Sequence, residues 1–128
     1  MAEFGIDLDK VRSFLAEKEE RRRQLLDQRF AHATAMAARV VEAIKDKFIV
    51  DRIWQWGSLL DRTRFSERSD IDIALEGVRS PSEFFAILGL AMELSELPVD
   101  LIELERVRPS VAERIRRKGR LVYDRTGS

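Results

Sequence analysis

Between Asp7 and Phe48 the chain contains neither Gly nor Pro, and this unbroken run constrains its shape more than any other feature. Apolar residues recur there at Leu8, Val11 and Leu15, then at Leu25, Leu26, Phe30, Ala33, Ala37, Val40, Val41, Ile44 and Phe48. This is helical spacing. A single helix of that length would run roughly 60 Å at about 1.5 Å per residue, about twice the diameter of a small domain. Part of it must therefore project or bend away. The charged stretch Glu17-Lys18-Glu19-Glu20-Arg21-Arg22-Arg23 interrupts the apolar stripe and is the expected division. It leaves the Leu25 to Phe48 half to cover a sheet, and Leu8 to Leu15 either to fold back on the core or to serve as a protein-binding arm. Residues 1–47 thus read as an N-terminal helical segment with a possible partner-binding role, and 48–128 as the core.

With 128 residues, 45% of them hydrophobic, the chain can bury a core of its own but has no room for a second catalytic domain. Basic and acidic residues balance at 23 each, which argues against a protein that holds nucleic acid by bulk charge. Cysteine is absent and His32 is the single histidine, so disulfides, thiolate metal sites and histidine clusters are excluded. His32 reads as a packing or surface residue. The opening Met-Ala-Glu-Phe-Gly-Ile-Asp has neither a basic start nor a long apolar stretch, and no segment approaches about twenty apolar residues, so a cytoplasmic location is expected.

The remainder alternates between strand and helix signals. Ile49 to Trp56 and Asp70 to Leu75 are strand-like, and Trp54 and Trp56 share one strand face. Ser80-Pro81-Ser82-Glu83 carries a helix-start signature, a capping Ser with Pro in the first turn and Glu three residues after the cap. A helix from about 81 to 95 is expected, with Phe84, Phe85, Ile87, Leu88, Ala91, Met92 and Leu94 as a broad buried face. Pro98 stops it before the strand Val99-Asp100-Leu101-Ile102. This strand–helix–strand unit allows the second and third strands to lie parallel and adjacent. The shorter link between Trp56 and Asp70 permits an antiparallel pairing, so the fold class is α+β, a small mixed sheet with helices packed on it.

Two short motifs carry the chemistry. Asp70 and Asp72 lie two apart in an extended apolar run, so they project from one side of a sheet. Carboxylates that close repel, and a divalent cation relieves the repulsion. Magnesium suits them, because it takes one or two protein carboxylates and fills its shell with water and phosphate oxygens. Gly57-Ser58 follows the first strand directly and precedes Leu59-Leu60-Asp61-Arg62, a possible helix opening. A Gly lets the backbone approach a ligand, and a Ser hydroxyl adds a donor for a phosphate oxygen. Alone, a Gly-Ser pair is usually a turn and an Asp-x-Asp a strand end. The two motifs together read as nucleotidyl transfer.

Gly57-Ser58, a spacer, then Ser69-Asp70-Ile71-Asp72-Ile73 resembles the signature of the minimal nucleotidyltransferases of the DNA polymerase beta-like superfamily. The resemblance covers roughly residues 48 to 124, including a tail, Ser110 to Tyr123, like the family's closing helix and short strand. It implies the family's nucleotidyltransferase fold and a third carboxylate on a following strand. Asp100 is the residue that fits, and Glu103, an odd number of residues on, would face the other way and into solvent. In that scheme Asp70, Asp72 and Asp100 hold two magnesium ions and act in catalysis, and Gly57, Ser58 and Ser69 serve the nucleotide. Many members have a second Gly where this chain has Arg62, and a spacer shorter by one. Arg62 and Arg64, with Arg68, are then candidates for neutralising the triphosphate, against the plainer reading of a solvated loop. Arg114, Arg116, Arg117, Lys118 and Arg120 give the tail a basic side, read as a solvated helix face.

Small stand-alone members resemble the antitoxin halves of HEPN–MNT toxin–antitoxin pairs. The resemblance therefore implies transfer of AMP from ATP to a tyrosine of a HEPN ribonuclease toxin, in a hetero-oligomer with that partner. A small-molecule nucleotidyltransferase of the antibiotic-modifying kind is one alternative, and a non-catalytic antitoxin that inhibits by binding is the other.

Overall fold

The computed structural model describes residues 5–127. The Gly- and Pro-free run is one helix, α1 (Leu8–Lys47), 40 residues long and opened by the Asp7 carboxylate, which accepts from the Asp9 and Lys10 amides. The expected division at Glu17 to Arg23 is absent, because these residues are good helix formers and their charges pair along the helix, as Glu20 does with Arg23. The first half of α1 does not fold back: Leu8, Val11, Phe14, Leu15 and Leu25 are all exposed. Burial begins with Leu26 and Phe30 and is complete at Ala33, Met36, Ala37, Val40 and Ile44.

Four strands follow, β1 (Arg52–Trp56), β2 (Ile71–Glu76), β3 (Val99–Glu103) and β4 (Arg120–Asp124), in the sheet order β3-β2-β1-β4. β1 runs antiparallel to both β2 and β4, while β2 and β3 are parallel. The parallel pair is joined by the crossover helix α2 (Pro81–Leu94), with Ser80 capping it through the Glu83 amide at 3.2 Å. A third helix, α3 (Pro109–Lys118), links β3 to β4. Mixed sheet, crossover and closing helix–strand pair all match the α+β reading.

The period-two pattern of β2 sorts the molecule into layers. Ile71, Ile73 and Leu75 point into the main core, with Ile53, Leu101 and the buried faces of α1 and α2. Asp72, Ala74 and Glu76 alternate onto the other face, where Ala74 packs with Ala112 and Ile115 of α3 and with Trp54 and Trp56. α2 buries a narrower face than its sequence suggests: Ile87 and Ala91 are buried between α1 and the sheet, but Phe85 and Met92 stand in solvent on the side turned away from both. Glu103 differs from expectation too. It faces away from Asp100, yet it is largely covered and pairs with Arg106 at 2.9 Å. His32 is a surface residue on α1, 3.3 Å from Glu96.

Glu76 fixes α3 to the sheet. Its carboxylate accepts from Trp54 Nε1 at 2.7 Å and from Arg116 Nε and Nη2, each at 3.4 Å, and Arg52 approaches to 3.6 Å. Removing it leaves the Trp54 indole N–H and the Arg116 guanidinium without this acceptor, while Arg52 keeps Asp124 and Thr126. Glu76→Ala should cost about 3 kcal/mol of stability. A urea titration would check this, and a change below about 1 kcal/mol would show that the cluster is dispensable.

Candidate active site

β1 ends at Trp56 and the chain turns at once through Gly57, whose φ of +82° is a left-handed conformation that L side chains rarely adopt. The turn is needed because β1 and β2 are paired to their ends, with Trp56 opposite Asp72. Gly57 Cα lies against the Asp72 carboxylate so closely that a methyl group there would overlap Oδ2. The backbone of the Gly-Ser motif and the second carboxylate of the Asp-x-Asp motif are therefore in van der Waals contact, although a spacer separates them in sequence.

The register of the parallel pair places Asp72 beside Asp100, on the α3 face of neighbouring strands. Asp70 precedes β2 by one residue and is exposed, as is Asp100, while Asp72 is half-buried. Burial, then the charge of Asp100, then that of Asp70, push the Asp72 carboxyl up to about 7. Among the described residues no three acidic or histidine side chains close into a ready-made metal cage. Asp100 and Asp70 instead lie near enough to act on Asp72 through their charges without closing around one point. That arrangement fits a magnesium ion, which needs only one or two protein carboxylates and prefers to keep water and phosphate ligands.

The spacer forms two 3-10 turns, Gly57–Leu60 and Arg62–Arg64. Asp61 caps the second, accepting from the Thr63 hydroxyl at 2.6 Å and amide at 3.0 Å, and these bonds hold its carboxyl below the usual range. Arg62 is turned to α1: Nε donates to Asp27 at 2.6 Å and Nη2 to the Arg23 carbonyl at 3.4 Å. Ser69 stabilises the turn before β2, its hydroxyl accepting from the Ser66 amide at 2.9 Å. Arg64, in contrast, lines a cleft of about 460 Å³ together with Trp56, Gly57, Leu60 and Asp61 on one side and Val111, Arg114, Ile115, Lys118 and Gly119 of the α3 end on the other. Sequence reading gave Arg114 and Lys118 to solvent. The signal it passed over is their four-residue spacing, which puts both on one face of α3 beside Val111 and Ile115.

The family model for polymerase beta nucleotidyltransferases matches residues 39–127, from the buried half of α1 to β4. A search of curated protein sequences finds no match. Among solved structures, the chain is similar to one in a toxin–antitoxin complex with AMP-PNP, at 21% identity, with 69% of this chain and 73% of that one covered and a TM-score of 0.56. It is also similar to a chain in the complex of a tri-AMPylated Shewanella oneidensis HEPN toxin with MNT antitoxin, at 17% identity over 73% and 74% of the two chains, with a TM-score of 0.53. A nucleotidyltransferase structure from Sulfolobus solfataricus aligns at 16% identity over 80% of this chain and 90% of its own, with a TM-score of 0.51. At these identities the structural likeness speaks for the fold, and the family match covers most of the chain. Fold, motif contact and family model agree: the chain belongs to the polymerase beta nucleotidyltransferase family.

Proposed function

We propose that this protein is a magnesium-dependent nucleotidyltransferase that moves AMP from ATP to a hydroxyl of another protein, a tyrosine of a HEPN-type toxin, and so acts as the cytoplasmic antitoxin of that pair. The observation that carries the transferase reading is the contact of Gly57 with the Asp72 carboxylate, beside Asp100 in register. The partner is suggested by the toxin–antitoxin complexes among the similar structures. No helix among the described residues is long and apolar enough to cross a membrane.

In this reading Asp70, Asp72 and Asp100 hold the divalent ions, which when bound neutralise phosphate charge and lower the pKa of the acceptor hydroxyl. Gly57 and Ser58 bring backbone and hydroxyl close to the donor. The exposed Asp100 accepts the proton as the acceptor oxygen bonds to the α-phosphorus. The bond from that phosphorus to the bridging oxygen breaks, and its electron pair leaves with pyrophosphate. Asp72, half-buried against Gly57, positions rather than moves a proton.

Incubation of the purified protein with magnesium and α-labelled ATP in host lysate should label one small protein. Label on a metabolite would favour small-molecule transfer, and a captured partner without label would replace catalysis by simple binding.

A further inference from the structure

The cleft between the Gly57 turn and the end of α3 has a composition that neither the Asp-x-Asp motif nor the Gly-Ser motif explains. Three of its lining residues are cationic, Arg64, Arg114 and Lys118. Their neighbours Arg116 and Arg117 are matched to Glu76 and Glu113. Arg114 and Lys118 have no carboxylate partner among the described residues, although both stand on the cleft face of α3. The helix dipole favours cations at this end of α3, but Arg116 and Arg117 already serve it on the other faces. Asp61, the one acid on the lining, is held by Thr63. Trp56 lines the cleft as well, packed with Ala112 and Ile115, and its Nε1 is enclosed rather than open to the cleft.

We infer that this cleft binds the phosphate chain of the donor nucleotide, with Arg114 and Lys118 of α3 facing the β- and γ-phosphates. The inference rests on the nucleotidyltransferase reading and adds to it a second wall of the donor site, contributed by the helix after β3. The chemistry agrees: unpaired cations on an apolar floor, directly beside the turn that touches Asp72, oppose the charge that builds on departing pyrophosphate. The basic end of α3 is thereby given a task other than solvation.

The test is binding of tripolyphosphate and of ATP, each with magnesium, to the full chain by calorimetry, comparing wild type with Arg114→Gln/Lys118→Gln. Both cations are exposed, so the double variant should melt like wild type. Its affinity for both probes should fall at least tenfold, with a shallower salt dependence. In the transfer assay the double variant should raise KM for ATP and lower kcat as well, because the lost cations face charge that grows on the leaving group. Unaltered tripolyphosphate affinity in the double variant, or no binding of tripolyphosphate by wild type, overturns the inference. If wild type binds both probes, the variant does not, and no acceptor is ever labelled, the cleft assignment stands and the transferase reading fails.

Discussion

Asp72→Asn should abolish nucleotidyl transfer while making the metal-free protein more resistant to heat above neutral pH. The first effect follows from losing a charged ligand from among the three aspartates. A loss of roughly 10³-fold or more is expected, equivalent to about 4 kcal/mol of transition-state stabilisation. The second follows from the position of Asp72 in the fold. Its carboxyl is pushed up to about 7, from an ordinary 3.8, by burial and by Asp100 and Asp70. Between these values the folded chain keeps a proton that the unfolded chain has released. The contribution to stability is therefore complete below the unfolded value and is lost as pH rises through the folded one. Asn cannot ionise and escapes the loss. With EDTA at pH 8 the variant should melt several degrees above wild type, and at pH 5 the gap should close. Magnesium should raise the wild-type melting temperature at pH 8 and leave the variant unmoved. A variant that keeps transferring label, or whose melt tracks wild type at both pH values, removes Asp72 from the site.

Gly57→Ala should be nearly as damaging for a different reason. A Cβ at a φ of +82° costs about 1–2 kcal/mol on the backbone alone, and here it also overlaps the Asp72 carboxylate. Either the turn or the aspartate must move. A displacement near 1 Å is worth about 10²-fold in rate, so transfer should fall by that order with only a modest drop in melting temperature. Gly89 in α2 is the control. It lies in a helix with nothing near its missing side chain, and Gly89→Ala should stabilise by roughly 0.5–1 kcal/mol and leave transfer untouched. Full activity in Gly57→Ala would mean that the contact between the two motifs is incidental.

The parts of the fold legible in the sequence were those governed by period and caps. Ser80 and Pro81 mark the start of α2, the alternation in β2 separates Ile71, Ile73 and Leu75 from Asp72 and Ala74, and the crossover makes β2 and β3 parallel. Whether α1 would break at Glu17 to Arg23 was not legible, because a loss of apolar stripe says nothing about backbone continuity when every residue favours helix. The exposure of Phe85 and Met92 was hidden for a related reason: composition gives a helix's apolar residues but not how many neighbours it will have. In the candidate site, alternation and family pattern pointed to the aspartates. The engagement of Arg62 by Asp27 and of Ser69 by its own turn depends on which side chain lies within reach after folding. Arg114 and Lys118 were seen only as part of a basic tail and read as a solvated face, since cations at a helix end are ordinarily accounted for by the helix dipole.

The pairing of Asp72 with Asp100 joins residues brought together only when β2 and β3 associate across α2. An unfolded chain offers a cation the Asp-x-Asp dipeptide pair and nothing more. Under the proposed function a cation and a nucleotide would recognise the assembled sheet almost exclusively, and their binding would stabilise the folded state to an extent set by their concentration relative to the dissociation constant. At a hundred times its dissociation constant such a ligand contributes about 2.7 kcal/mol. In the cell, supply of donor nucleotide would then set the lifetime of this protein against proteolysis as well as its rate of turnover.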